Sequence, residues 1–420
     1  MVPETGLTIN PIGEMVICCA GDNVALSHIK DVDDLTDFFN GEMYDKLRSD
    51  FKEQSFPKQC NVCWKHWDAG RIARFDSYNR FNFPTYKEDL ASDVIPIRFL
   101  EITTSNICNQ MCVSCSGKYS SKWAPYEQMA IDSGLDWRNE NHKFHTETYK
   151  MTNADVDKVL NIVPHLQHLT IKGGEPFADP NNIKILKKLA ETNPNCRVEI
   201  CTNMQLVTNT VIEILHQINE VHMQASIDGV HEMYDWIRGG NFKKTINNIN
   251  RYHAYGGRSV DVVSTVSVYN WMHLPELIDY FIDVPGVPRV SMANLVTYPK
   301  YCSPNFLTIE HQNEGKKKLF DYLESKFTKT GEERNHSHLM FKTIDGFTLS
   351  FVDVRRFGKW KPGFEWSDNR GPDPTLDFEK FVHHIGSNLD HKTFTYPIGE
   401  VLMNQRFFNG IGNYLRAEIL

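Results

Sequence analysis

Residues 100–123 read LEITTSNICNQMCVSCSGKYSSKW. The stretch continues an apolar run from Ile95 to Ile102 and places Cys108, Cys112 and Cys115 in the pattern C-x3-C-x2-C. Three thiolates on one short loop can each take a different iron of a cubic [4Fe–4S] cluster, and the fourth iron is then left without a protein ligand. An open iron is a place for a small molecule to bind and receive an electron. Two other readings fit the spacing: a zinc knuckle, or three unrelated buried thiols. A closed zinc site wants four ligands, commonly two C-x2-C pairs. This loop offers three, with no histidine between Cys108 and Cys115.

A second signal lies one βαβ unit further on. Gly173-Gly174-Glu175-Pro176 is reached by the short apolar run Leu166 to Ile171. Glycines let a backbone approach a ligand closely, and an acidic side chain can receive an ammonium group. Gly-Gly and Glu-Pro are also ordinary turn chemistry. Together, the cysteine loop and this motif resemble the radical S-adenosylmethionine (SAM) enzymes. The resemblance implies that Cys108, Cys112 and Cys115 hold a [4Fe–4S] cluster. It also implies that Gly173, Gly174, Glu175 and Pro176 meet the amino group of SAM. The activity implied is reductive cleavage of SAM to a 5′-deoxyadenosyl radical, which abstracts hydrogen from a substrate. A reductant such as flavodoxin or ferredoxin would supply the electron.

The surrounding sequence, residues 93 to about 305, alternates apolar runs with helical patterns. The expected strands are Ile97–Thr103, Leu166–Ile171, Arg197–Cys201, Val221–Ile227, Val260–Val268 and Arg289–Leu295. The expected helices include Ala154–Ile162, Ile183–Glu191, Val211–Ile218, Lys243–Tyr255 and Leu274–Ile282. Strands alternating with helices predict an α/β fold with a parallel sheet and right-handed crossovers. With the resemblance, this becomes a partial (β/α)6 barrel, whose site lies at the carboxyl ends of the strands. Asn203, Ser226 and Asp228 fall at such ends and can hydrogen-bond a ribose or the methionine part of SAM. Helix capping and turn chemistry are the alternatives for Asn203 and Asp228. Arg238, in Trp236-Ile237-Arg238-Gly239-Gly240, can grip a carboxylate with two N–H groups, or form a surface salt bridge.

Residues 1–92 carry Cys18, Cys19, Cys60 and Cys63. A C-x2-C pair with distant cysteines is metal-site spacing. The Pro-x-Gly turn at Pro11–Gly13, the cysteines after it and the later Cys60-x2-Cys63 resemble the SPASM/twitch modules that accompany radical SAM enzymes. That implies an auxiliary iron–sulfur cluster and favours a peptide or protein substrate, a small molecule being the other class. A zinc-stabilised or metal-free cap also fits these cysteines. Arg71, Arg74 and Arg80 follow, facing either an anionic ligand or solvent.

After a helical stretch and polar linker, residues 306–335, the character changes. Phe351-Val352-Asp353-Val354-Arg355-Arg356-Phe357-Gly358, Arg370-Gly371-Pro372 and the run Gln405 to Leu420, QRFFNGIGNYLRAEIL, resemble the Fpg/Nei DNA glycosylases, in particular the animal endonuclease VIII-like proteins. The likeness covers residues 336–420 and implies a C-terminal α+β fragment, part of a glycosylase with half of its β-barrel and an incomplete helix–two-turn–helix. In that family Arg356 and Phe357 would fill the gap left by a flipped base, and Asn413 would meet DNA phosphate at a helix N-terminus. The family's nucleophile is an N-terminal proline, whereas this chain reads Met1-Val2-Pro3-Glu4, and the family's catalytic lysine has no visible counterpart. From His336 to Leu420 there are ten Lys+Arg and ten Asp+Glu, so the segment has no net charge to draw DNA. The expectation is weak DNA affinity and no glycosylase or lyase activity.

A net charge of −8 gives no global attraction to nucleic acid or anionic membrane. No run of 18 apolar residues occurs, so no membrane span is expected. Ten cysteines with no basic-then-apolar leader suit a reducing cytoplasm, where they serve as metal ligands more often than as disulfides.

Overall fold

The computed structural model describes residues 2–19, 24–53, 60–68, 85–135, 143–327, 337–342, 348–352, 378–395 and 407. It divides into two units, one of Met1–Asn61 with Ser77–Gly331 and one of Val62–Asp76 with Glu332–Leu420.

The first unit is built on a nine-stranded sheet in the order β3-β2-β1-β4-β5-β6-β7-β8-β9. Its strands are β1 (Gly6–Ile9), β2 (Glu14–Val16), β3 (Ser27–His28), β4 (Phe99–Ile102), β5 (His168–Ile171), β6 (Arg197–Thr202), β7 (Val221–Ser226), β8 (Val260–Val266) and β9 (Val290–Leu295). Strands β4 to β9 are the six expected from the apolar runs, β6 one residue longer and the others trimmed at their ends, and neighbours pair in parallel. The sheet extends further than the alternating pattern suggested. β1 also pairs in parallel, against β4, and β2 and β3 add antiparallel strands beyond it. The first residues of the N-terminal segment therefore share the sheet of the barrel.

The N-terminal segment carries helices α1 (Leu35–Phe39) and α2 (Glu42–Lys52). Asp34 caps α1 by accepting from the Thr36 and Asp37 N–H groups, and Gly41 opens α2. Helices α3 (Ala124–Asp132), α4 (Asn153–Ile162), α5 (Pro180–Thr192), α6 (Asn209–His216), α7 (His231–Arg238), α8 (Phe242–Gly256), α9 (Leu274–Phe281) and α10 (Ile309–Phe327) follow. Thr152 and Asp155 form a capping box at the start of α4.

One hydrophobic core joins strands to helices. Leu100, Ile102, Leu169, Ile171, Val198, Ile200, Met223 and Val260 pack with Val156, Val159, Ile185, Leu189, Leu215, Ile249 and Phe281. Strand side chains alternate between faces, so the residues between these apolar ones point the other way. Thr8, Glu101, Thr170, Glu199 and His222 stand in register across five neighbouring strands. This polar row extends into ion pairs: Lys172 with Glu101 at 3.2 Å, His168 with Glu199 at 3.8 Å, and His222 with Asp261 at 2.5 Å. Arg289 also pairs with Asp261.

The row predicts a pH dependence. Burial pushes the Glu199 carboxyl up, but hydrogen bonds and charge from His168 and His222 outweigh it and hold it well below the usual carboxylate range. The hydrogen bond to Glu199 raises the His222 pKa against burial, with Asp261 adding to it. Lowered Glu199 stabilises the fold above its unfolded pKa, near ~4.3, and that contribution is lost as pH falls. Raised His222 stabilises below its unfolded pKa, near ~6.5, and that contribution is lost as pH rises through the folded value. Thermal unfolding of the wild type should thus weaken on both sides of this window. A His222→Gln variant should lose the dependence on the alkaline side; an unchanged alkaline limb would show that His222 does not carry it.

In the second unit, β10 (Ser337–Lys342) pairs antiparallel with β11 (Thr348–Val352). Helix α11 (Phe378–Gly386) follows. Phe407 is fully buried, with its ring 5.0 Å from Phe394, 5.1 Å from His391 and 5.9 Å from His384. Arg71, Arg74, Arg80, Arg356, Phe357 and Asn413 lie outside the described residues. No described helix is long and apolar enough to cross a membrane.

Candidate functional site

The cysteine loop leaves the carboxyl end of β4 and is held from three directions. At its ends, Asn106 donates to the carbonyls of Gly117 at 2.9 Å and Glu147 at 3.0 Å. The buried Glu127 accepts from the N–H groups of Gly117 at 2.7 Å and His145 at 2.6 Å. Within the loop, the Cys115 N–H donates to the Cys112 carbonyl at 3.0 Å, and Trp123 Nε1 donates to the same oxygen at 3.0 Å. From across the sheet, the Val113 N–H donates to the Ile237 carbonyl at 2.9 Å, and Cys112 Sγ donates to the Arg238 carbonyl at 3.5 Å. The run Ile237–Gly240 thus clasps the loop. Gly239 has φ +60°, and a Cβ there would stand 3.2 Å from the Met111 carbonyl oxygen.

Burial pushes the Cys108 thiol up to about 11, with the neighbouring charge of Cys112 and Glu175 adding to the rise. Burial and the charges of Cys112 and Cys108 push Cys115 higher still, and burial raises Cys112. Three partly buried thiols that repel one another's negative charge ionise together only against strong positive charge. Metal centres supply that, because a coordinating thiol is deprotonated outright. Among the described residues no three His, Cys, Asp or Glu side chains gather closely enough to hold a single metal ion. A cluster that gives each sulfur its own iron does not require such convergence.

The Gly173–Pro176 loop leaves β5 beside the cysteines. Gly173 and Gly174 have φ of +75° and +44°, and a Cβ on Gly174 would stand 2.2 Å from the Ile107 carbonyl oxygen. The Glu175 N–H donates to that same oxygen at 2.8 Å. Gly174→Ala should therefore drive this loop and the cysteine loop apart. The expected result is at least a tenfold loss of SAM affinity by equilibrium dialysis together with a lower melting temperature. Unchanged binding would show that the close approach is dispensable.

Glu175 is buried, and its carboxylate accepts from Thr202 Oγ1 at 2.7 Å, the Asn203 N–H at 2.8 Å and the Phe177 N–H at 3.2 Å. Burial raises its pKa against these donors. It braces the end of β5 to the end of β6, with three of about four carboxylate acceptor sites taken. Asn203 does not cap a helix, since Thr208 caps α6. Its side chain donates to Asn109 at 2.7 Å and accepts from the Gln205 N–H at 3.0 Å. Asp228 does not cap α7, whose N-cap is Val230. It accepts from the Thr265 N–H at 2.7 Å and from Arg238 Nη1 at 2.8 Å. Ser226 ends β7, partly buried.

Arg238 is no surface salt bridge. Its side chain is 14% exposed against 3% for Asp228, and its buried Nε has no hydrogen-bond partner. Burial opposes the charge, while Cys112 and Asp228 raise the Arg238 pKa. A buried guanidinium with an unused donor facing a thiol loop suits a ligand carboxylate.

Cys302 is fully buried, with Sγ 3.9 Å from the Val113 carbonyl oxygen. Cys201 is half-buried and donates to Gln224 Oε1 at 3.0 Å. Of the N-terminal cysteines, Cys18, Cys19 and Cys60 lie in the first unit and Cys63 in the second. Gln110, Asn106, Glu127, Trp123 and Tyr234 carried no local signal in the sequence, because their partners lie in other loops or helices.

Residues 102–281 match the model of the Radical SAM superfamily, and residues 1–64 match SPASM, an iron-sulfur cluster-binding domain. The first of these matches places the barrel region, residues 102–281, in the radical SAM superfamily. Mouse endonuclease 8-like 1 is 54% identical over 88 residues, covering 20% of this chain and 23% of that protein. The formamidopyrimidine-DNA glycosylase of Streptococcus agalactiae serotype III (strain NEM316) is 28% identical over 156 residues, 34% of this chain and 52% of that protein. The chain spans 23% of the length of the mouse relative, about a quarter. It thus joins a radical SAM region to a segment of the Fpg/Nei glycosylase type.

Among solved structures, anSMEcpe with bound AdoMet is 17% identical, covering 54% of this chain and 61% of that one, with a TM-score of 0.38. Streptococcus suis SuiB bound to S-adenosylmethionine is 15% identical, covering 65% and 60%, with a TM-score of 0.36.

Proposed function

We propose that the protein cleaves SAM reductively at a [4Fe–4S] cluster held by Cys108, Cys112 and Cys115. When bound, such a cluster supplies one electron to SAM, whose C–S bond breaks to methionine and a 5′-deoxyadenosyl radical that takes hydrogen from the substrate. The chain's own residues do the rest. The three thiolates bind the metal and leave one iron open. Gly173 and Gly174 let the backbone approach the amino group of SAM, and Glu175 holds that loop against β6. Arg238, oriented by Asp228, offers its unused Nε–H to the SAM carboxylate. Ser226 and Asn203 line the ends of β7 and β6 where ribose would sit. The observation that supports the reading is that Ile237–Gly240 closes on the cysteine loop through the bond from the Val113 N–H to the Ile237 carbonyl, while Arg238 keeps a buried Nε–H without a partner among the described residues.

The finer assignments rest on the SPASM match and the cysteine spacing. Residues 1–92 act as a module with an auxiliary cluster drawn from Cys18, Cys19, Cys60 and Cys63. Residues 93–305 form the barrel, residues 306–335 the linker and 336–420 the glycosylase-like segment. The substrate is a peptide or protein side chain, the electron donor a flavodoxin or ferredoxin, and the compartment the reducing cytoplasm. The test is iron and sulfide analysis after anaerobic reconstitution, followed by dithionite-driven production of 5′-deoxyadenosine from SAM. Reconstituted protein with iron but no 5′-deoxyadenosine would refute the reading.

The endonuclease 8-like match favours a second reading, DNA binding through the C-terminal segment. With zero net charge over residues 336–420, its binding to abasic-site duplex should be weak and fall steeply with salt. Borohydride should trap no covalent adduct. A trapped adduct would make the segment catalytic.

A further inference from the structure

Gln110 lies between two of the cluster cysteines and is 1% exposed. Its N–H donates to Cys108 Sγ at 3.4 Å. Its side-chain Oε1 stands 4.0 Å from Cys112 Sγ, which donates to it. On the far side, Gln110 Nε2 donates to Tyr234 Oη at 3.1 Å. Tyr234 Oη bonds Thr245 Oγ1 at 2.9 Å, and Thr245 Oγ1 reaches the Asn203 carbonyl at 3.3 Å. Tyr234 and Thr245 are fully buried. A Cβ on Gly240 would stand 2.2 Å from Gln110 Nε2. Glycine at 240 is therefore a condition of the amide's position, and the relay runs unbroken from Cys112 to the end of β6.

The amide presents a carbonyl on one side and two N–H donors on the other, and a half-turn exchanges them. With Cys112 a thiol, its single S–H is shared between this carbonyl at 4.0 Å and that of Arg238 at 3.5 Å. A thiolate bound to iron has no proton to give and needs a donor. The half-turn places an amide N–H at the sulfur and the C=O at Tyr234, whose hydroxyl then donates to it. Thr245 donates in turn to Tyr234 or to the Asn203 carbonyl. The contact between Gln110 and Tyr234 thus keeps one donor and one acceptor in both arrangements.

Building on the cluster assignment above, we propose that Gln110 is a positioning residue that sets the cluster's reduction potential. It does so by donating its side-chain N–H to the Cys112 sulfur, locked there by Tyr234 and Thr245. Hydrogen bonds to cluster sulfurs are one of the factors that fix these potentials. A donor at the sulfur stabilises the more negative, reduced cluster and so raises the potential.

The test is a spectroscopically monitored redox titration of the reconstituted holoprotein, comparing wild type, Gln110→Leu, Tyr234→Phe and Ser120→Ala. Ser120 Oγ bonds only the Gln110 backbone carbonyl, at 2.8 Å, so its variant controls for loosening of the loop. Gln110→Leu should lower the midpoint enough to change the ratio of reduced to oxidised cluster tenfold at a fixed potential, about 59 mV for a one-electron couple. Tyr234→Phe should lower it by less, and Ser120→Ala should leave it in place. Equal midpoints in variants that hold full iron would overturn the proposal, as would an equal shift in Ser120→Ala. If Gln110→Leu fails to load iron, Tyr234→Phe decides: a lowered midpoint supports the relay and an unshifted one overturns it. A wild type that forms no reducible cluster would fail before any variant is compared, and would refute the cluster assignment itself.

Discussion

Cys112→Ala should reduce 5′-deoxyadenosine formation to background, a loss of at least a thousandfold, while the protein stays folded. Both halves of this expectation come from how the residue is held. The Cys115 N–H and Trp123 Nε1 bond the Cys112 carbonyl, and neither contact involves the sulfur. Alanine keeps them, so the turn that presents Cys108 and Cys115 survives. What disappears is one of three iron ligands, together with the long S–H contacts to the Arg238 carbonyl and Gln110 Oε1, and with two ligands remaining the cluster should not reconstitute to full iron. Thermal unfolding without metal should differ little from wild type, whereas iron and sulfide per chain should fall sharply. Cys302→Ala is the matched control. That thiol is fully buried near the Val113 carbonyl, so its loss creates a small packing defect and should leave iron and cleavage intact. Cleavage that survives in Cys112→Ala would remove Cys112 from the cluster, and cleavage lost in Cys302→Ala would add a residue to it.

The parts of the fold that were legible in the sequence are those written by local periodicity. Apolar runs such as Leu166–Ile171 and Val260–Val268 became β5 and β8, because a strand covered on one face needs alternate apolar residues to meet the helices. The cysteine spacing and Gly173–Pro176 were legible because each packs its chemistry into a few consecutive residues. What stayed hidden depends on residues far apart in the chain. Thr8, Glu101, Thr170, Glu199 and His222 read as isolated polar residues, and only strand register lines them up. Arg238 read as a carboxylate grip, yet its backbone carbonyl also holds Cys112 across a separation of 126 residues. Glu175 read as an ammonium receiver, and the bracing of β5 to β6 by the same carboxylate was not legible, because Thr202 and Asn203 arrive at it from the next strand. The parallel pairing of β1 with β4 was also out of reach, since a four-residue strand gives too short a pattern to assign to a sheet.

Arg238 supports the second large prediction, and two substitutions there separate its roles. Arg238→Lys keeps a positive charge beside Asp228 but removes the forked guanidinium and the Nε–H that has no partner among the described residues. Lysine is a point charge and cannot grip a carboxylate with two parallel bonds. SAM affinity should fall by about 10- to 100-fold, equivalent to about 1.4–2.8 kcal/mol, with iron content and stability close to wild type. Arg238→Ala should do more. It leaves Asp228, whose side chain is 3% exposed, with only the Thr265 N–H to offset a buried charge. Removing one partner of a buried pair costs about 3–5 kcal/mol, so the melting temperature should drop as well. Adding Asp228→Asn to Arg238→Ala removes the stranded charge. The double variant should regain part of that stability while still failing to bind SAM, because the donor for the carboxylate remains absent. Recovery of SAM binding along with stability would mean that Arg238 acts only through Asp228. An unchanged affinity in Arg238→Lys would mean that the carboxylate is held elsewhere.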